Sequence, residues 1–201
     1  LAGNSATATI SDIKLDKTAP TITGAPTTSP NANGWYNSDV TVSYTASDVL
    51  SGLVSTPSDT VISTEGSSQS TSQTVTDLAG NSATATISDI KLDKTNPTIS
   101  VATRTPFTAN DWNNAPVTVT YATSDALSGI DESTSSYAAD TLSTEADNQS
   151  TSGTVTDKAG NTASVTQDKI RIDLTNPIIS VASRTPFTAN DWNNAPVTVT
   201  Y

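Results

Sequence analysis

Aspartates recur at matched places along this chain. One group is Asp16, Asp48 and Asp77, with Asn81 close behind; a second is Asp93, Asp125 and Asp157, with Asn161. Carboxylates, Asn amides and the carbonyls of tight loops are hard oxygen donors. A hard cation such as calcium takes six to eight of them at about 2.3–2.6 Å. Either group, gathered at one place, is therefore a candidate ligand set. The same residues also admit a turn reading, because Asp and Asn before Gly or Ser bond their own backbone. Lys17 and Lys94 directly follow two of the aspartates and can neutralise them without a metal.

Other chemistry is thinly provided. The chain has no Cys and no His, which excludes thiolate and imidazole metal sites and the Ser-His-Asp arrangement. No glycine-rich phosphate cradle is present. Asp131, Glu132, Asp140, Glu145 and Asp147 add acidity, and paired carboxylates can cleave glycosides. These, however, surround a length insertion with nothing to form a cleft, which reads as a solvated face. The expectation is that the chain is not an enzyme. Trp35, Trp112 and Trp192 read either as stacking platforms for sugar or as plugs that cover a small core and brace a neighbour; their identical settings favour the plug. Asn148-Gln149-Ser150 is an acceptor pattern for N-linked sugar.

The elements that must position these residues are repeated. Leu1 to Thr18 copies Leu78 to Thr95 residue for residue, and Arg104 to Tyr121 is identical to Arg184 to Tyr201. Matching the three tryptophans gives offsets of 77 and then 80, and Tyr44, Tyr121 and Tyr201 keep the same register. The three extra residues of the second copy fall between Gly129 and Glu145. Only 14% of the 201 residues are charged, 34% are hydrophobic, and Thr, Ser and Val outnumber helix formers, so the composition predicts an all-β protein. Val40, Val42 and Tyr44 alternate with polar residues as a half-buried strand. Thr21-Ile22-Thr23 follows Pro20 and belongs at a sheet edge. Asp77-Leu78-Ala79-Gly80-Asn81 is a hairpin turn. Beyond it the apolar parity slips by one between Ile87 and Ile90, again at Ile10 to Ile13 and at Gln167 to Ile170, which predicts a β-bulge. Six or seven short strands in about 77 residues suggest a small antiparallel sandwich.

Four text elements together carry a resemblance. They are Asp-x-Ala-Gly-Asn, Asp-Lys-Thr-x-Pro, Gly-Trp-Tyr-Asn ahead of Val-Thr-Val-x-Tyr, and Ala-Ser-Asp-x-x-Ser-Gly. As a set, spanning essentially the whole chain, they resemble the bacterial and archaeal immunoglobulin-like repeats of large surface proteins, adhesins and fibres. The resemblance implies tandem immunoglobulin-like antiparallel β-sandwich domains arranged as beads in a rod, extracellular and at the cell surface, often hardened by calcium at domain junctions. Residues 17–93 and 94–173 are expected to be whole repeats. Residues 1–16 are expected to be the closing strand of a preceding repeat and 174–201 the opening of a following one, so the chain reads as an excerpt of a longer polypeptide.

In such a sandwich the entering linker and two loops meet at one pole, which would gather Asp16, Asp48 and Asp77 near Asn81, and Asp93, Asp125 and Asp157 near Asn161. The far end of the preceding bead, with Asn33, Trp35 and Asn37 or Asn110, Asp111 and Asn113, would face it. Lys91 and Lys169 are available for the isopeptide cross-links of some related fibre domains. The expected partners are neighbouring repeats of the same chain, identical chains in a fibre, and host or cell-surface glycans at a tip outside this segment. A glycan-binding module is the alternative function. A net charge of −11 opposes nucleic acid and anionic membrane. No run approaches the roughly 18 apolar residues of a membrane span; the sequence opens with neither the basic start nor the apolar segment of a signal peptide, and targeting signals are expected elsewhere in the longer polypeptide.

Overall fold

A computed structural model describes residues 2–186 and 192–201; of Ala109 the backbone alone is described. Leu1 and residues 187–191, which belong to the expected first and last partial repeats, lie outside the described residues. The protein is all-β, with antiparallel sheets. Among the described residues no helix is long and apolar enough to cross a membrane.

Five strands form a first set: β1 (Thr21–Pro26), β2 (Val40–Ser47), β3 (Thr60–Ile62), β4 (Gly66–Thr76) and β5 (Ser82–Leu92). They are followed in the same order by β6 (Thr98–Arg104), β7 (Val117–Ser124), β8 (Asp140–Leu142), β9 (Ala146–Thr156) and β10 (Thr162–Ile172). A short pair, β11 (Ser183–Arg184) and β12 (Val199–Thr200), comes last. In each set the first three strands make one antiparallel sheet, in the order β1-β2-β3 or β6-β7-β8, and the last two make a hairpin.

By packing, the chain divides into two compact units. One is Leu1–Ala102 with Thr120–Ala138 and Ser152–Thr166; the other is Thr103–Val119 with Ala139–Thr151 and Gln167–Tyr201.

The alternation of β2 sends Val40, Val42 and Tyr44 inward, where they join Ile62 of β3 and Ile90 and Leu92 of β5 in one cluster, with Ile22 and Ile87 packed against it. Both sheets of the set thus contribute to one core, each buried aliphatic side chain stabilising it by about 1.5–3 kcal/mol. As expected, β1 is an edge strand, paired only with β2 from Thr21↔Ser47 to Pro26↔Val42. In the second set Val117, Val119, Val155, Ile170 and Ile172 are the buried counterparts.

The parity slip is a bulge. Thr71 opposes Ile87 and Gln69 opposes Ile90, so β5 carries one extra residue, and Asp89 takes φ 62° there. Lys169 in β10 has φ 55° at the matching place, and Asp12 has φ 62°. The bulge brings Ile90 and Leu92 onto the core face after the exposed Ser88-Asp89 step.

Five strands per set fall short of the six or seven expected. Among the described residues the stretch after β2 is broken by Ser, Gly and Pro and contributes the isolated bridge Leu53↔Asp77, and its counterpart after β7 contributes Ile130↔Asp157 and Ser136↔Thr154. Residues 2–16 form no strand, and Ile10, Ile13 and Leu15 are exposed, whereas their textual copies Ile90 and Leu92 are buried against β2. The same sequence acquires a core only where a partner sheet exists.

Candidate metal centre

The hairpin between β4 and β5 is built around Asp77. Its N–H donates to the Asn81 carbonyl at 2.9 Å, and its Oδ1 accepts from Asn81 N at 2.8 Å. Asn81 Nδ2 donates to Asp77 Oδ2 at 2.7 Å and to the Asp16 carbonyl at 3.3 Å. Gly80 completes the turn at φ 93°, a conformation that a side chain would strain. Asp157, Gly160 and Asn161 reproduce this between β9 and β10, with Asn161 Nδ2 bonded to Asp157 Oδ2 at 2.8 Å and to the Asp93 carbonyl at 3.0 Å.

The loop after β2 brings the second aspartate. Asp48 Oδ1 accepts from Ser51 N at 2.9 Å and Gly52 N at 2.7 Å, and Asp125 Oδ2 accepts from Leu127 N and Gly129 N at 3.0 and 2.6 Å. The linker brings the third. Asp16 Oδ1 accepts from Thr18 N and its Oδ2 from Ser51 N; Asp93 Oδ1 accepts from Thr95 N and its Oδ2 from Ser128 N.

The outcome is two clusters, Asp16 with Asp48 and Asp77, and Asp93 with Asp125 and Asp157. In each, one carboxylate oxygen per residue lies within 4.8 Å of the others. That spacing suits three oxygens around one hard cation, since two ligands at the distances given above lie at most about 5 Å apart. Asp77, Asp93 and Asp157 are essentially buried. Hydrogen bonding from Ser51 and the Thr18 amide holds the Asp16 carboxyl below its ordinary value. For Asp77 the largest single influence is burial, which acts upward, but the bonds from Asn81 and the turn amides outweigh it and the net direction is down. Asp16 and Asp77 are thus held in the ionised form by their own turns.

Neutralisation by lysine is not what Lys94 does. Its ammonium pairs with Asp39 at 2.7 Å and with the Ser63 carbonyl at 2.8 Å. Among the described residues the two salt bridges are this one and Arg171–Asp147, and neither includes a cluster carboxylate. In the second cluster Ser128 Oγ is buried without a hydrogen-bond partner, beside the amide that holds Asp93. It is one more hard oxygen at that site. Asn81 and Asn161 turn their amide nitrogens to the carboxylates and so orient them.

Two features escaped the sequence reading. Glu65 accepts from Lys94 N at 2.5 Å and from Thr95 Oγ1 at 3.1 Å, clasping the linker, and Glu145 does the same for Leu174 N and Thr175 Oγ1. The repeated text Ser-Thr-Glu at 63–65 and 143–145 was the available signal. The other is the set of hydrogen bonds that holds the Asn31–Trp35 loop, whose place facing the next pole was itself expected. Asn31 Oδ1 accepts from Asn33 N and Trp35 N, while its Nδ2 donates to the Lys158 carbonyl at 2.8 Å. Asn33 Nδ2 reaches Asp131 Oδ2 at 3.1 Å and the same carbonyl at 3.3 Å. The loop of the first set thus sits on the hairpin of the second. Trp35 and Ala159 line one cleft there, and Lys91 Nζ lies 6.0 Å over the Trp35 ring. Asn37 Nδ2 lies near Gly160. Asn113 is buried, donating its amide nitrogen to the Pro106 carbonyl.

No family model matches the chain, and no curated protein matches it significantly.

Proposed function

We propose that this chain is a structural, non-catalytic segment of an extracellular stalk or filament. In this reading it is built of tandem immunoglobulin-like β-sandwich beads, with residues 17–93 and 94–173 as whole beads and 1–16 and 174–201 as parts of flanking ones. Its functional unit is the joint between beads, and calcium rigidifies that joint.

One observation carries the reading: Asp93 is gripped from both sides. Its N–H donates to the Tyr36 carbonyl of the first set at 2.9 Å, while its carboxylate accepts from Ser128 and its carbonyl from Asn161, both of the second set. A linker residue with no exposed surface and partners in both sets suits a stiff joint better than a loose string. The close carboxylates, which no lysine pairs with among the described residues, support a divalent cation as the element that completes it. The four shared motifs support the surface-protein class. Trp35 is 7% exposed, which leaves its ring little face for a sugar and favours the structural role over a glycan-binding module.

Small-angle scattering of the whole 201-residue chain, with calcium and with a chelator, tests this. A rod that loosens under the chelator is expected. A rod unchanged by the chelator removes the metal and keeps the joint; a flexible string in both conditions removes the joint as well.

A further inference from the structure

Asn33-Gly34 is the single Asn-Gly step of the chain. The backbone nitrogen that follows an asparagine can attack its side-chain carbonyl carbon, and glycine leaves that approach least hindered because it has no Cβ. The next least hindered steps are Asn-Ser, at Asn4, Asn37 and Asn81. In the second set the matching step is Asn110-Asp111, where a Cβ stands in the way.

The glycine has a backbone reason to be there. It takes φ 78° in the Asn31–Trp35 loop, and its N–H donates to the Asn31 carbonyl at 2.9 Å. Asn33 is exposed, yet its side chain is tied down. Its Nδ2 donates to Asp131 Oδ2 at 3.1 Å and to the Lys158 carbonyl at 3.3 Å, both of the second set. The attacking nitrogen and the group attacked are therefore both engaged while the loop is seated. Both come free when it lifts off.

We infer that Asn33 is a site of spontaneous deamidation, with water as co-reactant, and that the reaction releases the loop from the second set in one direction only. The inference rests on the joint reading above, because the seated loop is what shields the site. The Gly34 nitrogen loses its proton and bonds to Asn33 Cγ, the Cγ–Nδ2 bond breaks, and ammonia leaves a cyclic succinimide. Water then opens the ring at one carbonyl to give aspartate or at the other to give isoaspartate. Neither product fits the seat. The amide that donated to two acceptors becomes a carboxylate with no proton to give, set against the Asp131 carboxylate. That partner is itself ionised, since Ser133 and then Asn33 hold it below its ordinary value. Like charges at this range repel. Isoaspartate also lengthens the backbone inside a loop closed by the Gly34 N–Asn31 carbonyl and Trp35 N–Asn31 Oδ1 bonds.

The test ages the whole 201-residue chain at neutral pH, in buffer and in urea, and maps acid and isoaspartate formation peptide by peptide by mass spectrometry. In urea Asn33 should convert ahead of every other asparagine. In buffer its conversion should be about tenfold or more slower, as for a contact that is open about a tenth of the time or less. Asn33→Asp supplies the product directly. In a chain whose Trp112 and Trp192 are replaced by Phe, this variant should lose the protection of Trp35 emission from quencher, and Asn33→Gln, which keeps an amide, should lose less. Another asparagine converting first in urea overturns the inference and leaves the joint standing. So does a Trp35 as protected in Asn33→Asp as in the parent, the result if the Lys158 ammonium captures the new carboxylate. Equal conversion of Asn33 in buffer and in urea overturns both, because the loop is then not held on the second set.

Discussion

Asn161 reaches back 68 residues to donate its side-chain amide to the main-chain carbonyl of Asp93 at 3.0 Å. Asn81 does the same to Asp16 at 3.3 Å. A hairpin turn near the end of each strand set therefore holds the linker that opens the set. What varies between the linkers is the other side. Asp93 N–H has the Tyr36 carbonyl as acceptor, and Asp173 N–H has the Asn113 carbonyl. Asp93, held by loops on both sides, is the fully buried member, while Asp16 is half-buried and Asp173 is exposed.

Asp93→Ala is expected to destabilise the chain by about 2 kcal/mol or more, since it leaves the Ser128 and Thr95 amides without their acceptor in a buried setting. Asp173→Ala, on an exposed residue, should stay within about 1 kcal/mol. Denaturant unfolding of the two variants compares them directly; equal losses would remove the special standing of Asp93.

Calcium should raise the melting temperature, by an amount equivalent to about 2.7 kcal/mol when its concentration is a hundred times the dissociation constant. Asp125→Asn combined with Asp157→Asn should abolish the contribution of the second cluster. Calorimetric melting in calcium and in chelator measures both effects. Identical curves for the parent chain would sink the metal reading.

Acid should loosen the joint. Asp131 lies below its ordinary value because Ser133 and then Asn33 hydrogen-bond its carboxylate, and Asp16 and Asp77 are lowered as well. A carboxyl whose folded value is depressed stabilises the fold above its unfolded value, about 3.9, and that contribution disappears as pH falls through the lower folded value. Stability should therefore be flat above about pH 5 and decline below about pH 4. Asp131→Asn should reduce the slope of that decline in urea titrations run across the range.

Gly24→Ala should destabilise the first set by about 1–3 kcal/mol. A Cβ there would stand 2.6 Å from Tyr44 Cδ1, too close for a ring packed in the core. Thermal melting measures the loss. An unchanged melting temperature would mean that the Tyr44 ring has room to move.

The three tryptophans should differ in solution. Single-tryptophan variants should show blue-shifted, quencher-protected emission from Trp35, which is 7% exposed, and red-shifted, quenchable emission from Trp192, which is 77% exposed. Equal quenching would contradict the seating of Trp35 at the joint.

Local features were legible in the residues. Period-two alternation marked β2, the parity slip between Ile87 and Ile90 marked the bulge, and Asp-x-Ala-Gly-Asn marked the hairpin, because each depends on neighbours a few positions away. The gathering of Asp93, Asp125 and Asp157 was reachable by a further step, since matched positions in a recurring strand order must return to the same end of each set.

What the tertiary structure alone decided is who meets whom across long separations. Lys94 follows a cluster aspartate in sequence, yet its flexible stem carries the ammonium to Asp39. Glu65 clasps a linker some thirty residues away. Identical strand text is buried at Ile90 and Leu92 and exposed at Ile13 and Leu15, because burial belongs to the partner surface and not to the residue. Of the aspartate groups read first as candidate ligands, the one with Asp93 ends at the hydrogen-bonded contact between the two strand sets, and the one with Asp16 stays within the linker and loops of the first set. Residue types and spacing determined their chemistry; packing over roughly 30 to 130 residues of intervening chain determined their neighbours.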